Sequence, residues 1–335
     1  IIASGKADLV AMGRALLADP FLPAKLAEGR DDEILTCIGC NEGCTGMLNE
    51  CRPISCALNP RTGYEDDYPM TQADAPKAVV VIGGPAGCEA ALTAAQRGHK
   101  VVLFEATSTL GGLANIAALP PGKGVFATLG TYFSAMLPRA GVDVRLNTKA
   151  DADAVRALHP DHVIVATGGT PIVPRFCAGS PVVLAQDILT GAAQAGSRVL
   201  VIGGGLVGSE TAEFLADKGR EVTVVELRDG IALDMEYKTR QMLMPKLAAL
   251  GVVCLTETEV LEIGCNGNIK VKTPYLEKEL SGFDTVVVAL GYRPDAALCA
   301  DLAAADIDFV QVGDCKKVGK IINGVWEAFQ LAYRI

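Results

Sequence analysis

Ser197-Arg198-Val199-Leu200-Val201-Ile202-Gly203-Gly204-Gly205-Leu206-Val207-Gly208 is an apolar run that stops on a complete G-x-G-x-x-G cluster. A continuous apolar run reads as a strand buried on both faces, and the glycines permit a tight turn, close backbone approach to a pyrophosphate and helix packing against the strand. Residues 209–218 continue as a helix, residues 222–225 as a second strand, and Glu226 closes it where an acid takes a ribose hydroxyl. Together they specify a βαβ unit for a nicotinamide dinucleotide, held at Gly203, Gly205, Gly208 and Glu226. Glu226 favours NADH over NADPH, because a carboxylate accepts the 2'-hydroxyl and repels a 2'-phosphate; Arg228 pulls the other way.

The same pattern occurs earlier. Residues 77–82 read as a buried strand, Gly83-Gly84-Pro85-Ala86-Gly87 as a glycine turn, residues 88–97 as an alanine-rich helix and residues 100–104 as a strand ending on Glu105, with Gly111-Gly112 beyond. Aligned on Gly87 and Gly84, the first glycine of the motif falls on Ile82, so this loop is one glycine short. FAD is the expected ligand, at Gly83, Gly84, Gly87, Glu105 and Gly112; the alternative is a Rossmann unit without nucleotide.

The chain has 335 residues, half of them hydrophobic, which allows two or three domains with parallel sheets. A net charge of -9 with no run of Lys or Arg gives no reason to expect nucleic acid. Apolar runs such as residues 78–82 and 285–290 are far below the roughly 20 residues a membrane span needs, and no targeting segment is evident. A soluble cytoplasmic enzyme is expected. Its three histidines, His99, His159 and His162, form no catalytic pattern, and no C-x2-C or C-x4-C pair opens either glycine helix, as disulfide exchange would need.

Cys37, Cys40, Cys44 and Cys56 stand at C-x2-C-x3-C-x11-C. Three thiolates from one loop and a fourth from a return segment suit an iron-sulfur centre. Zinc usually presents two C-x2-C pairs, and a disulfide framework fits poorly with eleven cysteines and no secretory signal. Cys51 is a spare that could replace Cys56.

Residues 1–14 run into a short apolar strand, and a helix over residues 15–28, broken near Pro20 and Pro23, follows. One strand and one helix cannot bury their own apolar faces, so this piece reads as the end of a larger α/β domain and the chain as a fragment. Ala7-Asp8-x3-Met12-Gly13-Arg14-x4-Asp19-Pro20 resembles the last strand and helix of the flavin-binding barrel in old-yellow-enzyme-like NADH:flavin oxidoreductases. With the four cysteines after it, the chain resembles the C-terminal part of the long members: 2,4-dienoyl-CoA reductase, enoate reductase and trimethylamine dehydrogenase. The resemblance implies FMN in a barrel mostly outside these residues, with its phosphate on Arg14. It also implies a 4Fe-4S cluster on Cys37, Cys40, Cys44 and Cys56, and an FAD domain with a nicotinamide domain inserted. Ala166-Thr167-Gly168-Gly169 and residues 285–294, with Gly291, are similar to the two hinge strands. Gly313-Asp314 resembles the turn that binds the ribityl chain of FAD, with a helix after Asn323 aimed at the flavin.

The expected fold class is α/β, with two Rossmann-like dinucleotide-binding domains preceded by the end of a truncated (β/α)8 barrel and an iron-sulfur loop. Expected boundaries are a barrel remnant 1–34, the cluster segment 35–60, a linker 61–76, FAD-binding parts 77–180 and 284–335, and the nicotinamide domain 181–283. The expected role is the electron-input half of an NADH-dependent reductase of an activated C=C bond, acting on a small molecule, with a homo-oligomer as one option for its assembly. The alternatives are a stand-alone NADH oxidase or ferredoxin-type reductase, and a non-catalytic electron-transfer module.

Overall fold

The computed structural model describes residues 1–264 and 267–335. Helices α1 (Arg14–Ala18) and α2 (Leu22–Ala27) occupy the region where one interrupted helix is expected. Pro23 opens α2 rather than breaking it, since a missing N–H costs nothing in the first turn. The short strand expected within residues 1–14 does not form, because an extended stretch becomes a strand only by pairing and among the described residues none pairs with it. The cysteine segment holds a π-type turn, Glu42–Gly46, and α3 (Met47–Asn49); residues 50–77 contain neither helix nor strand.

The first glycine unit follows as β1 (Ala78–Ile82), α4 (Pro85–Gln96) and β2 (Lys100–Phe104). After α5 (Leu113–Ala117) come α6 (Thr128–Arg139), β3 (Asp143–Arg145), α7 (Ala152–Arg156) and β4 (His162–Val165). Next are β5 (Gly169–Pro171), β6 (Val182–Leu184), α8 (Ala185–Thr190), β7 (Arg198–Ile202), α9 (Leu206–Asp217) and β8 (Glu221–Val225). The chain continues through α10 (Tyr237–Ala249), β9 (Val253–Leu255), β10 (Glu259–Ile263), β11 (Ile269–Lys272), β12 (Glu277–Leu280), β13 (Thr285–Val288) and β14 (Tyr292–Pro294). It ends with α11 (Ala297–Ala304), β15 (Val310–Gln311) and α12 (Ile321–Tyr333), which starts two residues before Asn323.

Two compact units result: residues 1–112, 127–167 and 296–335 form one, and residues 113–126 and 168–295 the other. The first contains a five-stranded sheet ordered β15-β4-β1-β2-β3, all parallel, with Val80 opposite Val102 and Val163. The second contains a five-stranded sheet ordered β6-β13-β7-β8-β9, also all parallel, with Leu200 opposite Thr223 and Val286. Parallel sheets need cover on both faces, which is why Val81, Leu103, Val201 and Val224 are wholly buried. Ala90, Ala91 and Ala94 let α4 approach its sheet closely, and each is fully enclosed.

The boundary expected at residue 284 lies elsewhere. Strand β13 pairs with β6 and β7, so residues 285–288 stay in the second unit, and the first resumes only at Ala296. The three-stranded meander is β10-β11-β12, whereas β9 joins the parallel sheet beside β8. A strand's partner is chosen by the edge it finds, which its own residues do not encode. Among the described residues no helix is long and apolar enough to cross a membrane.

Candidate functional site

In the second unit, β7 is followed by Gly203, whose φ of +99° and N–H bond to the Val225 carbonyl turn the chain off the sheet. A side chain there would lie 2.5 Å from the Ala289 carbonyl, and one on Gly208 would overlap the Gly203 carbonyl, so α9 approaches as close as glycine permits. Gly205 is the N-cap of α9. Glu226, almost fully buried, accepts from the Gly204 N–H at 2.7 Å and from the Arg228 N–H at 2.8 Å. The Arg228 Nε lies 3.5 Å from Glu226 Oε1, so the acid and the cation of opposite nucleotide preference are neighbours. Gly168, with φ +82°, accepts from the Asp295 N–H, and Gly291, with φ +86°, accepts from the Ile172 N–H; both belong to the turns around the β5-β14 ribbon. Lys123 pairs with Glu210 of α9, and burial raises the Glu210 carboxyl against that pull.

In the first unit, Gly83 has φ +85° and donates to the Phe104 carbonyl, as Gly203 does to Val225. Gly83, and not Ile82, is therefore the first glycine of the motif. Gly84 is the N-cap of α4, as Gly205 is of α9, so the residue missing from the shorter loop corresponds to Gly204. A Cβ on Gly83 or Gly84 would press the Ala166 carbonyl at 2.9 or 3.0 Å, and one on Gly87 would press Val81 and Ala166 at 3.3 Å. Thr167 lies beside Gly83, and Gly112, with φ +47°, stands against Pro85 and Gly84. The buried Glu105 accepts from the N–H and hydroxyl of Thr107, both at 2.8 Å. Gly313, with φ +67°, packs against Ala86 of α4 and donates to Glu327 at 2.9 Å. Asp314 accepts from the Gly319 N–H at 2.9 Å, and burial raises its carboxyl. The structure thus gathers Gly83, Gly84, Gly87, Thr167, Gly112 and Gly313 around the start of α4, a backbone cradle of the kind a pyrophosphate needs.

Cys37, Cys40, Cys44 and Cys56 line one small cleft together with Arg14, Asn41, Gly43 and Ser55. The buried Ser55 joins the two halves: its N–H and hydroxyl both donate to the Gly43 carbonyl, at 2.8 and 3.1 Å. Cys56 is held most firmly. Its Sγ accepts from the Leu58 N–H at 3.4 Å, and its carbonyl accepts from Trp326 Nε1 of α12 at 2.8 Å. Burial pushes the Cys40 thiol up to about 12 and raises Cys56, so any metal that binds must displace their protons. Among the described residues no three His, Cys, Asp or Glu side chains converge on a single ion, although four thiols face one cleft. Cys51 is exposed and does not line the cleft. Arg14 is exposed and donates to Asn41 Oδ1 at 2.6 Å, between Cys40 and Cys44.

Residues 76–314 match the model of the pyridine nucleotide-disulphide oxidoreductases. The chain belongs to that family. It is an NAD(P)H-dependent flavin oxidoreductase chain, and the family implies FAD and NADH binding. The whole chain is 43% identical to an NADH oxidase of Thermoanaerobacter brockii, of which it covers 53%, and 33% identical to a cinnamate reductase of Clostridium sporogenes, of which it covers 50%. Among solved structures it resembles a 2-naphthoyl-CoA reductase with a TM-score of 0.94 and 33% identity, covering all of this chain and 51% of that one. The chain spans about half the length of these relatives.

Unlike a disulphide-exchanging member of the family, this oxidoreductase carries Cys88 alone in α4, fully buried and with its thiol pushed well up by burial. Sequence reading missed two residues. Trp326 had one weak signal, as the sole tryptophan of the chain. Lys123 had none, since a single charge in a loop looks solvated until the fold shows what it meets.

Proposed function

We propose that this chain carries electrons from NADH, through FAD and a 4Fe-4S cluster, toward FMN, for reduction of an activated C=C bond of the enoate or acyl-CoA type. The observation that carries the reading is the placing of Cys37, Cys40, Cys44 and Cys56 around one cleft in the same unit as the FAD cradle. Their C-x2-C-x3-C-x11-C spacing, with one C-x2-C pair rather than two, favours an iron-sulfur centre over zinc. The substrate class is supported by relatives named for cinnamate and 2-naphthoyl-CoA reduction.

When bound, FAD would accept one hydride from NADH and release its two electrons one at a time, and a cluster on the cysteines would carry them singly. The protein's part is to hold each group: the Gly83–Gly84 turn and Asp314 for FAD, the Gly203–Gly208 loop and Glu226 for NADH, and the cysteines for iron. Arg14, anchored on Asn41 beside the cluster cleft, is proposed to face the FMN phosphate.

The test is iron, acid-labile sulfide, zinc and flavin analysis of anaerobically purified protein. About four irons and one FAD per chain are expected, and Cys40→Ser should abolish the iron. Stoichiometric zinc without iron would sink the cluster reading.

A further inference from the structure

The nucleotide loop of the second unit is already capped by the chain itself. Leu206 opens α9, a twelve-residue helix, and its N–H donates to Asp234 Oδ1 at 2.8 Å. The same carboxylate would stand 3.2 and 3.4 Å from a Cβ built on Gly205. Asp234 arrives on a segment that folds back over the loop. The Ala232 N–H donates to the Gly204 carbonyl at 2.6 Å, and Ile231 fills the space beside Gly204.

The first amide of α9, at the positive end of the helix, is the group a dinucleotide pyrophosphate requires. A carboxylate and a phosphate cannot share it, because one N–H serves one acceptor and two like charges repel at that separation. We propose that Asp234 is an internal anion occupying the pyrophosphate-binding amide, and that NADH enters by driving it off that amide onto Arg228. This rests on the nicotinamide reading of the second unit. The Asp234 side chain is half exposed, so solvent can reach the amide once it turns away. Arg228 waits beside it, with Nη2 at 3.9 Å from Asp234 Oδ1 while its Nε faces Glu226.

Two consequences follow. The apparent affinity for NADH is lowered by the fraction of molecules in which Asp234 covers the amide. Arg228, engaged by two carboxylates, is withheld from a 2'-phosphate, so Asp234 also contributes to the choice of NADH over NADPH.

The experiment measures NADH, NADPH and ADP-ribose binding by calorimetry for wild type, Asp234→Ala and Asp234→Asn. Asparagine keeps an oxygen for the Leu206 N–H and so protects α9 against loss of its cap, while removing the charge. The expected result is NADH binding about tenfold tighter in Asp234→Ala, the equivalent of one charge-assisted hydrogen bond, with an intermediate gain in Asp234→Asn. NADPH should gain more than NADH in both variants. Unchanged or weaker NADH binding in both variants, at wild-type thermal midpoints, would overturn the proposal and leave the nicotinamide reading standing. Absence of binding in all three proteins would overturn both.

Discussion

Glu89 lies on the buried side of α4 with Thr93 Oγ1 donating to it at 3.1 Å, and burial raises its carboxyl from 4.5 to about 7. The unfolded chain therefore ionises at lower pH than the folded one. The neutral acid costs little below about pH 4.5, and stability falls as pH rises from there through 7, by up to about 3 kcal/mol. Urea midpoints at pH 5 and pH 8 should show this slope in wild type and a flatter one in Glu89→Gln; equal slopes would mean the carboxylate is solvated. Glu226 is a residue whose type and distance were readable from the chain, but its partners were not. Its oxygens already hold the Gly204 and Arg228 amides, so it shapes the loop as well as facing the ribose. Replacing Glu226 with Ala should narrow the NADH-to-NADPH preference by about 1–3 kcal/mol, the scale of a hydrogen bond to a charged group. The check is the ratio of the two dissociation constants, and a wild-type preference for NADPH would show that Arg228 dominates despite its two carboxylate neighbours.

At the level of elements, the two glycine loops make a controlled comparison inside one chain. Counting back from Gly87 assigns Ile82 to a glycine position, because spacing alone cannot say where a residue is missing. The hydrogen bonds can: Gly83 and Gly203 make the same contact to the neighbouring strand, and the lost residue is the one whose N–H, in the longer loop, anchors Glu226. Glu105 is tied to Thr107 instead. Inserting one glycine between Gly83 and Gly84 should restore that amide and tighten FAD retention by roughly tenfold, about one hydrogen bond. The measurement is FAD-to-protein ratio after exhaustive dialysis, and looser FAD in the insertion variant would show that the short loop is already matched to its ligand. Strands β1, β2, β7 and β8 were legible because a run of Val and Ile buried on both faces has few other meanings. Strand β9 and the residues before α1 were not, since each depends on which edge is available.

At the scale of the molecule, the repeat of strand, glycines, helix and acid announced two nucleotide folds, and both five-stranded sheets place their glycine strand third, at the centre, between a following and a returning strand. What no local pattern disclosed is that residues 113–126 leave the first unit and residues 285–295 stay in the second. The cysteine segment, by contrast, belongs wholly to the first unit, tied to α12 by Trp326 on Cys56 and by Lys320 Nζ on Glu42 at 2.7 Å. That arrangement separates two functions that can be tested apart. The NADH loop and the FAD cradle contain no residue of the cysteine cleft, so Cys40→Ser should retain NADH-dependent reduction of ferricyanide once loaded with FAD, at a rate within about twofold of wild type, while losing its iron. Replacing Trp326 with Phe leaves the ring and removes the N–H that fixes the Cys56 carbonyl; it should shed iron faster on exposure to a chelator while keeping FAD. If Cys40→Ser loses FAD together with iron, the cysteine segment is a structural support for the flavin fold, and the division of labour drawn between cradle and cleft is wrong.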